Sequence, residues 1–365
     1  MSTVDPRLDH ERVVLHYGKR SGLPVIAAVH STTLGHAVGG ARMWTYPDWR
    51  DGLTDALRLS AAMSLKNAAA DLAHGGGKAV IALPTGTVLS PERREAVLRD
   101  LGDLVDSLGG TFIVGEDVGM RSEDMLIVRE QTPWADCLPP SAGGIGEPAE
   151  PTSIGVYAAI EATARRAFAT ADLRGRRVCV VGLGQVGQRL ARRLATAGAK
   201  LTVSDIDPAK QAIAGELGAD WAEPGEALFV ETDLLVPAAL GGILTPHSVP
   251  WLRCAAVVGP ANNQLSDDTV AEALAERGIL WAPDFIANAG GVIYGVKVSL
   301  DGLSPEAARA DVRRIGDRLA SVFARAERDG VTPLAVAVGD ANARLTGSAV
   351  TEPVTRTGPS EPGVR

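Results

Sequence analysis

Apolar positions in the first part of the chain follow two different spacings. The short runs VVLHY, from Val13, and PVIAAVH, from Pro24, flank the turn-like GKRSGLP and predict two strands. GGGKAVIALP and TFIVGEDVG predict two further strands. Apolar residues recur at helical spacing over residues 49–72, and a second helix is predicted over residues 91–108 with Ser90 as its N-cap. This part of the chain therefore predicts an α/β domain.

The second part of the chain alternates regularly between strands and helices. RRVCVVGLG, KLTVSDID, DLLVPAA, AAVVGPAN and GILWAPDF predict strands, and the helices between them are predicted to end near Ala197 and Leu217. This alternation is typical of a parallel sheet with helices on both faces. A long helix is predicted over residues 305–329, which could return the chain to the first domain.

The boundary between the two parts is predicted within residues 139–151, PPSAGGIGEPAEP, where proline, glycine and serine are concentrated. We predict one domain over residues 1–148, to which about residues 335–365 return, and a second domain over residues 149–334. The last residues, about 347–365, are polar and rich in proline and threonine, and we expect them to be disordered.

Composition and charge exclude several classes of protein. Of 365 residues, 45% are hydrophobic and 22% charged, which is ordinary for folded domains and excludes wholesale disorder. The net charge is −8 and no long run of lysine and arginine occurs, so no nucleic-acid partner is expected. No apolar stretch approaches the ~18 residues of a membrane span, and the N-terminus does not resemble a signal peptide. We therefore predict a cytoplasmic protein without a membrane partner.

The cysteines and histidines do not indicate a metal site. Cys137, Cys179 and Cys254 are far apart and never spaced as CxxC, which disfavours both a zinc site and a disulfide framework. The histidines show no metal-ligand spacing. We therefore expect no bound metal, and a reducing compartment.

A glycine-rich motif in the second part predicts a dinucleotide site. The motif GLGQVG follows a valine-rich strand and opens a helix, and Asp205 ends the next strand. The glycines would let the backbone approach a pyrophosphate at the helix N-terminus, and Asp205 would accept hydrogen bonds from the ribose hydroxyls. A carboxylate would repel a 2′-phosphate, so NAD is favoured over NADP. The motif residues are Gly182, Leu183, Gly184, Gln185, Val186 and Gly187.

Two lysines and one aspartate are candidates for acid–base chemistry. Lys66 lies at helical spacing from small apolar residues, and Lys78 lies between three glycines and the apolar run AVIAL. Burial beside a second ammonium would lower the pKa of a lysine toward that of a general base. Asp117 ends a strand in GEDVG and could exchange protons in a cleft. The alternatives are a surface lysine whose stem covers apolar neighbours, and an aspartate that caps a turn.

Five segments together resemble one enzyme family. GGARMWTY, MSLKNAAADLAHGGGKAVI, GEDVG, GLGQVG and APDFIANAGGVIYG occur in this order, and the likeness covers about residues 13–345. They resemble the glutamate/leucine/phenylalanine/valine dehydrogenase family, and more narrowly its leucine, valine and phenylalanine branch. The resemblance implies an N-terminal α/β substrate and oligomerisation domain and a Rossmann, doubly wound NAD-binding domain, with the active site in the cleft between them. It also implies a homo-oligomer that converts an L-amino acid reversibly to a 2-oxo acid and ammonia with NAD.

The resemblance assigns roles to residues at matching positions. Lys66 would hold the substrate carboxylate, Lys78 would be the general base, and Asp117 would move protons on and off the substrate nitrogen. Arg42 of GGAR could support the substrate site or form a structural salt bridge. Beyond the glycine motif and Asp205, cofactor contacts are implied for Thr152, Ala238, Ala239, Asn262 and Asn263.

The same resemblance favours an apolar substrate side chain. Val38 stands where glutamate enzymes have a lysine, and Gly295 where they have a serine, so a charged side chain would lack both partners. Gly115 leaves space, as in phenylalanine-type members, which favours an aromatic or leucine-like side chain, while valine stays open. The residues implied in the substrate site are Val38, Gly39, Gly40, Met63, Lys66, Gly115, Asn262, Val292 and Gly295.

Two other functions stay open on the sequence alone. The chain could be an NAD-binding regulatory homologue without turnover, or an oxidoreductase for another imine or keto substrate. The presence of both lysines and of Asp117 argues against the first alternative.

Overall fold

The computed structural model describes residues 9–347 of the chain. Its strands are β1 (Arg12–Tyr17), β2 (Pro24–Ser31), β3 (Ala37–Tyr46), β4 (Gly75–Pro84), β5 (Phe112–Glu116), β6 (Arg177–Val181), β7 (Lys200–Ser204), β8 (Asp220–Trp221), β9 (Leu234–Pro237), β10 (Ala256–Val257) and β11 (Leu280–Trp281). Its α-helices are α1 (Trp49–Ala69), α2 (Pro91–Asp106), α3 (Ser122–Arg129), α4 (Ala149–Phe168), α5 (Gln185–Thr196), α6 (Gln211–Leu217), α7 (Thr269–Glu276), α8 (Asp284–Ala287), α9 (Gly290–Gly295), α10 (Pro305–Arg313), α11 (Ile315–Asp329) and α12 (Pro333–Gly347).

The described chain forms two units, each with its own sheet. The first comprises the described residues of Met1–Glu147 and Asn342–Arg365, and the second is Pro148–Ala341. The later division falls within α12. The predicted disorder of the C-terminal tail concerns residues 348–365, which lie outside the described residues, whereas Gly347 ends α12.

In the first unit the strands form a sheet in the order β1-β2-β4-β3-β5. The pairs β1–β2 and β2–β4 are antiparallel, whereas β3 runs parallel to both β4 and β5. Successive residues of β4 alternate between the two faces: Val80 clusters with Leu57 of α1, and Ile81 clusters with Leu98 of α2. Helices therefore cover both faces, which explains why this strand is apolar without alternation.

The helices on the two faces begin at capping residues. The Asp48 side chain caps α1 by accepting a hydrogen bond from the backbone N–H of Arg50 at 2.8 Å. The Ser90 side chain caps α2 by accepting from the backbone N–H of Arg93 at 3.3 Å. The predicted N-cap of α2 is therefore confirmed.

In the second unit the strand order is β11-β10-β9-β6-β7-β8, and every neighbouring pair is parallel. Counted along the chain within this sheet, the order is the 3-2-1-4-5-6 arrangement of doubly wound dinucleotide-binding folds. The predicted parallel sheet and the two-domain α/β class are confirmed. The winding reverses between β6 and β9, and ligands of such folds bind outside the carboxyl ends of the strands at that point.

The helix predicted over residues 305–329 is interrupted at Arg314. The backbone N–H of Arg314 bonds to the carbonyl oxygen of Asp311 at 3.1 Å, and its ψ is −7°. This tighter turn separates α10 from α11. Both helices belong to the second unit, and the chain joins the first unit only from Asn342.

Candidate functional site

Lys78 and Asp117 meet across the strand that separates their own strands. Lys78 lies in β4 and Asp117 directly follows β5, with β3 between them in the sheet. The Nζ of Lys78 lies 2.7 Å from Oδ2 of Asp117, and only 6% of the Lys78 side chain is exposed. Gly40 of β3 leaves room for Asp117, because a Cβ there would lie 2.7 Å from the Asp117 Cβ. The two candidates from the sequence therefore form one buried ion pair.

Arg42, on β3, is the second cation beside Asp117. Its Nε donates to Oδ2 of Asp117 at 3.0 Å, and its Nη1 donates to Oδ2 of Asp55 on α1 at 2.9 Å. The same oxygen of Asp55 accepts from the Tyr46 hydroxyl at 2.8 Å, and its Oδ1 accepts from Arg58 at 2.8 Å. Arg42 thus forms salt bridges, which is one of the two roles that the sequence left open, and one of them is to the candidate Asp117. Its support of a substrate site stays a prediction.

The charges in this cluster shift the pKa values of its members. Burial lowers the pKa of Lys78 below its ordinary value, although the negative charge of Asp117 opposes the shift. Burial alone would raise the pKa of Asp117, but the positive charges of Lys78 and Arg42 outweigh it and hold that pKa below its ordinary value. The cluster therefore combines an ionised carboxylate with a lysine that loses its proton more easily than an exposed one.

The other candidates in the first unit lie on β3, α1 and β5. A Cβ on Gly39 would lie 1.8 Å from the carbonyl oxygen of Gly77 and 3.5 Å from Cγ of Met63. Val38 pairs in register with residues of β4 and β5. Lys66 lies in the last turn of α1 and is half-buried. The structure thus brings Gly39 next to Met63, one turn before Lys66 on the same helix.

The space beside Gly115 is taken by Cys137. Gly115 is opposite Gly40 in the register of β3 and β5, so the two residues face the same side of the sheet. A Cβ on Gly115 would lie 2.8 Å from Sγ of Cys137. Burial raises the pKa of the Cys137 thiol to about 12, so this side chain is uncharged. Cys137, which was not among the site residues predicted from the sequence, therefore reduces the space beside Gly115.

In the second unit the glycine motif joins β6 to α5. Gly182 has a φ of 110°, and a Cβ there would lie 2.7 Å from the Cβ of Ala239. A Cβ on Gly187 would lie 2.0 Å from the carbonyl oxygen of Gly182. By contrast, no atom lies within 4 Å of the Cβ position of Gly184, the N-cap of α5, among the residues described. Two glycines therefore allow close packing, and the third leaves the helix N-terminus open to an anion.

Asp205, which follows β7, holds the glycine motif in place. Its Oδ2 accepts a hydrogen bond from the backbone N–H of Leu183 at 2.6 Å. Its Oδ1 accepts from the backbone N–H of Asp207 at 2.9 Å. The sequence anticipates a ribose partner for this carboxylate but not its bond to the motif. Gln185 and Val186 belong to the motif and form the first residues of α5.

The remaining candidates of the second unit lie in loops and at helix ends. Oδ1 of Asn262 accepts from Nδ2 of the buried Asn288 at 2.9 Å, a partner that the sequence did not indicate. Thr152 lies in the first turn of α4, and its hydroxyl would be 2.8 Å from a Cβ on Gly291. Ala238 and Ala239 follow β9, Asn263 follows β10, and Val292 and Gly295 belong to α9.

The described part of the chain shows neither a membrane-spanning helix nor a metal-binding cluster. None of its helices is long and apolar enough to cross a bilayer. Its histidine, cysteine, aspartate and glutamate side chains form no group of three or more that could hold a metal ion. Cys137, Cys179 and Cys254 carry free thiols.

Models of known protein families match both units. The Glu/Leu/Phe/Val dehydrogenase dimerisation domain matches residues 10–134, and the glutamate/leucine/phenylalanine/valine dehydrogenase model matches residues 209–299. The NAD binding domain of D-isomer specific 2-hydroxyacid dehydrogenases matches residues 156–241, which contain the glycine motif.

Individual proteins are similar over most of the chain. A leucine dehydrogenase from Thermoactinomyces intermedius is 41% identical over 329 residues, which cover 89% of this chain and 88% of that enzyme. A valine dehydrogenase from Streptomyces albus is 39% identical over 347 residues, or 92% of each chain. The crystal structure of L-tryptophan dehydrogenase from Nostoc punctiforme has a TM-score of 0.78 and 37% identity, and the match covers 92% of this chain and 96% of that one.

Proposed function

The chain belongs to the glutamate/leucine/phenylalanine/valine dehydrogenase family, and on that basis we propose that it catalyses the reversible, NAD-dependent oxidative deamination of an apolar L-amino acid. The observation that carries the proposal is the buried contact of 2.7 Å between Lys78 and Asp117. A lysine of lowered pKa beside an ionised carboxylate is suited to moving protons to and from a substrate nitrogen.

The second unit fits NAD as the cofactor. The open space at Gly184, the N-terminus of α5 and the Asp205 carboxylate suit the pyrophosphate and ribose of a dinucleotide. NAD would accept the hydride that leaves the substrate Cα. We assign further contacts with NAD to Thr152, Ala238, Ala239, Asn262 and Asn263.

Three residues of the first unit would divide the work on the substrate. Lys66 would hold the substrate carboxylate with its ammonium group. Lys78, when uncharged, would take a proton from the substrate amino group and release it to solvent, and would then take a second proton from the water that attacks the imine carbon. Asp117 would receive this second proton from Lys78 and return it to the nitrogen, which leaves as ammonia. In total, amino acid, NAD⁺ and water would give 2-oxo acid, NADH, ammonium and one proton.

We assign an apolar side chain to the substrate. Val38 and Gly295 offer no partner to a side-chain carboxylate, which would be costly to bury alone. The contact of Cys137 with Gly115 narrows one side of the site, which favours a branched aliphatic side chain over a fused aromatic ring. The similar leucine and valine dehydrogenases support this ranking, whereas the similar L-tryptophan dehydrogenase supports an aromatic substrate.

A panel of amino acids tests the proposal. Purified protein is incubated with NAD and with each of leucine, valine, phenylalanine, tryptophan and glutamate, and NADH is followed by its absorbance. We expect turnover of leucine or valine, less of the aromatic amino acids and none of glutamate. Turnover of glutamate alone, or of no amino acid, would contradict the proposal.

Two further measurements separate the alternatives. Tight NAD binding in calorimetry without turnover would identify a regulatory homologue, and turnover of other imine or keto compounds would identify a different oxidoreductase. The matched dimerisation domain also supports a homo-oligomer. Light scattering of the purified protein measures the number of subunits.

A further inference from the structure

We propose that Arg42 and Asp55 are a positioning pair that fixes the carboxylate of Asp117 beside Lys78. The inference rests on the proposed function, because it concerns the residues that would move protons there. It assigns a role to Asp55, a residue of α1, and to the guanidinium group of Arg42, which joins α1 to the end of β5.

The first step concerns how firmly Asp55 is held. Its side chain is 16% exposed, and its two oxygens accept three hydrogen bonds, from Arg42, Tyr46 and Arg58, at 2.9, 2.8 and 2.8 Å. Tyr46 is buried and ends β3, the strand that also carries Arg42. Asp55 is therefore fixed to both α1 and β3, and it can hold the guanidinium in one orientation.

The second step concerns the two oxygens of Asp117. Nε of Arg42 and Nζ of Lys78 both bind Oδ2, at 3.0 and 2.7 Å. Oδ1 accepts no hydrogen bond from any group within residues 9–347. With Oδ2 held by two cations, Oδ1 is the oxygen that Asp117 can offer to a substrate nitrogen. The planar guanidinium of Arg42 binds Asp55 with one nitrogen and Asp117 with another, and it thereby sets the orientation of the Asp117 carboxylate. A flexible lysine could not set this orientation.

The third step concerns the charges that face Lys78. Arg42 on β3 lowers its pKa, whereas Asp117 after β5 and Asp55 on α1 raise it. Removing Arg42 or Asp55 should therefore move the titration of Lys78 in opposite directions. Strands β2, β3 and β5 and helix α1 carry these further titratable groups: His30, which is bonded to Ser64, on β2, Tyr46 on β3, Arg50, Asp51, Arg58 and Lys66 on α1, and Glu116 on β5.

Three variants of the full-length enzyme test the pair through the pH dependence of kcat/KM for oxidative deamination. Arg42→Gln should lower kcat by about 100-fold, because Asp117 is misplaced. It should also shift to higher pH the part of the kcat/KM profile that follows the titration of Lys78, which we call the Lys78 limb. Asp55→Asn should lower kcat by about 10-fold and shift the same limb to lower pH. Arg42→Lys keeps the positive charge but not the planar guanidinium. It should therefore return the Lys78 limb to its wild-type pH without restoring kcat.

Controls separate positioning from folding. Asp103→Asn removes another carboxylate that is paired with an arginine, on α2 at the opposite face of the sheet, and should leave both kcat and the limb unchanged. If Asp55→Asn fails to fold, Tyr46→Phe removes one bond to Asp55 without changing a charge, and it should lower kcat without moving the limb. The inference would be overturned if the Lys78 limb stays in place in both variants or shifts in the same direction in both. It would also be overturned if the losses of kcat follow only the fraction of unfolded protein.

One measurement does not depend on turnover. The titration of Lys78 can be followed by nuclear magnetic resonance in protein labelled with ¹³C at lysine Cε, with Lys78→Gln used to assign the signal. Opposite shifts in Arg42→Gln and Asp55→Asn are expected there too, and equal titration in all proteins would overturn the inference. A wild-type enzyme without turnover would instead refute the proposed function alone.

Discussion

The two units of this protein build their candidate sites from opposite materials. In the first unit the site consists of side-chain charges, with Lys78, Asp117, Arg42 and Asp55 joined by contacts of 2.7 to 3.0 Å. In the second unit it consists mainly of backbone that approaches closely because side chains are absent, and Asp205 is the one acidic residue of that site described above. The first site is specified by which atoms are present, and the second by which are missing.

This difference predicts different sensitivities. A site made of paired charges should tolerate little loss of charge, because the partner of a deleted group stays buried and uncompensated. A site made of glycines should instead be sensitive to added volume, because protein interiors have few voids. The predictions below test this contrast.

The largest effect is expected from loss of the amine in the first unit. Lys78→Gln should lower kcat by about 10³-fold, because it removes the proposed general base. NAD affinity, measured by calorimetry, should stay unchanged, because the residues assigned to NAD belong to the second unit. Lys19→Gln, which removes an exposed lysine of the same unit, should leave both quantities unchanged. Equal kcat in the two variants would remove Lys78 from its assigned role.

The second unit should respond to single methyl groups in two distinct ways. Gly187→Ala places a Cβ 2.0 Å from the carbonyl oxygen of Gly182, so it should reduce the free energy of unfolding by about 1–3 kcal/mol. Gly184→Ala meets open space, so it should leave stability unchanged and weaken NAD binding by about 10- to 100-fold. Urea unfolding and calorimetry measure the two effects. Normal NAD binding by Gly184→Ala would show that this space does not hold the pyrophosphate.

The fold was largely predictable because its strongest signals are local. Alternating strands and helices around GLGQVG predicted the parallel sheet of the second unit, and Ser90 predicted the start of α2. β8 was missed because a strand of two residues is too short to show a period. The interruption at Arg314 was missed because Gly316, two residues later, lies within α11, and a single glycine inside a helical pattern does not by itself predict a break.

The candidate site was predictable only in part, because its contacts depend on strand order. Lys78 and Asp117 could be selected from their surroundings in the sequence, but their contact across β3 follows from the order β4-β3-β5. Asp55 was missed because its relation to Arg42 depends on how α1 packs on the sheet. A signal existed, however: Asp55 directly precedes the buried Ala56 on the apolar face of α1.

A smaller effect is expected where the first unit also depends on a missing side chain. Gly115→Ala should clash with Cys137, and Gly115→Ala/Cys137→Gly should recover the lost stability, because the double variant removes the atom 2.8 Å away. Cys137 has a φ of 59°, which glycine adopts easily. Cys137→Gly alone should raise kcat/KM for phenylalanine relative to leucine by about 10-fold. An unchanged ratio would place Cys137 outside the substrate site, and simple additivity of the stabilities would contradict the clash.

The smallest effect concerns two neighbouring acids of the first unit that differ in their partners. Asp117 is bound by two cations, whereas burial and the negative charges of Glu147, Glu123 and Asp124 raise the pKa of Glu116 to about 7. Because this pKa exceeds its ordinary value of 4.5, the folded state binds more protons than the unfolded state between these pH values, and stability falls as the pH rises through them. Glu116 therefore opposes folding most strongly above pH ~7.

Glu116→Gln should consequently stabilise the protein at pH 8 by about 1 kcal/mol and have little effect at pH 4.5, where the carboxyl group is protonated in the folded state. Urea unfolding at the two pH values measures the difference. Glu226→Gln, at an exposed glutamate of the second unit, is the matched control and should show no such dependence. If Glu116→Gln destabilises the protein at pH 8, Glu116 is paired with a compensating cation. Both acids at the end of β5, Glu116 and Asp117, would then be paired with cations.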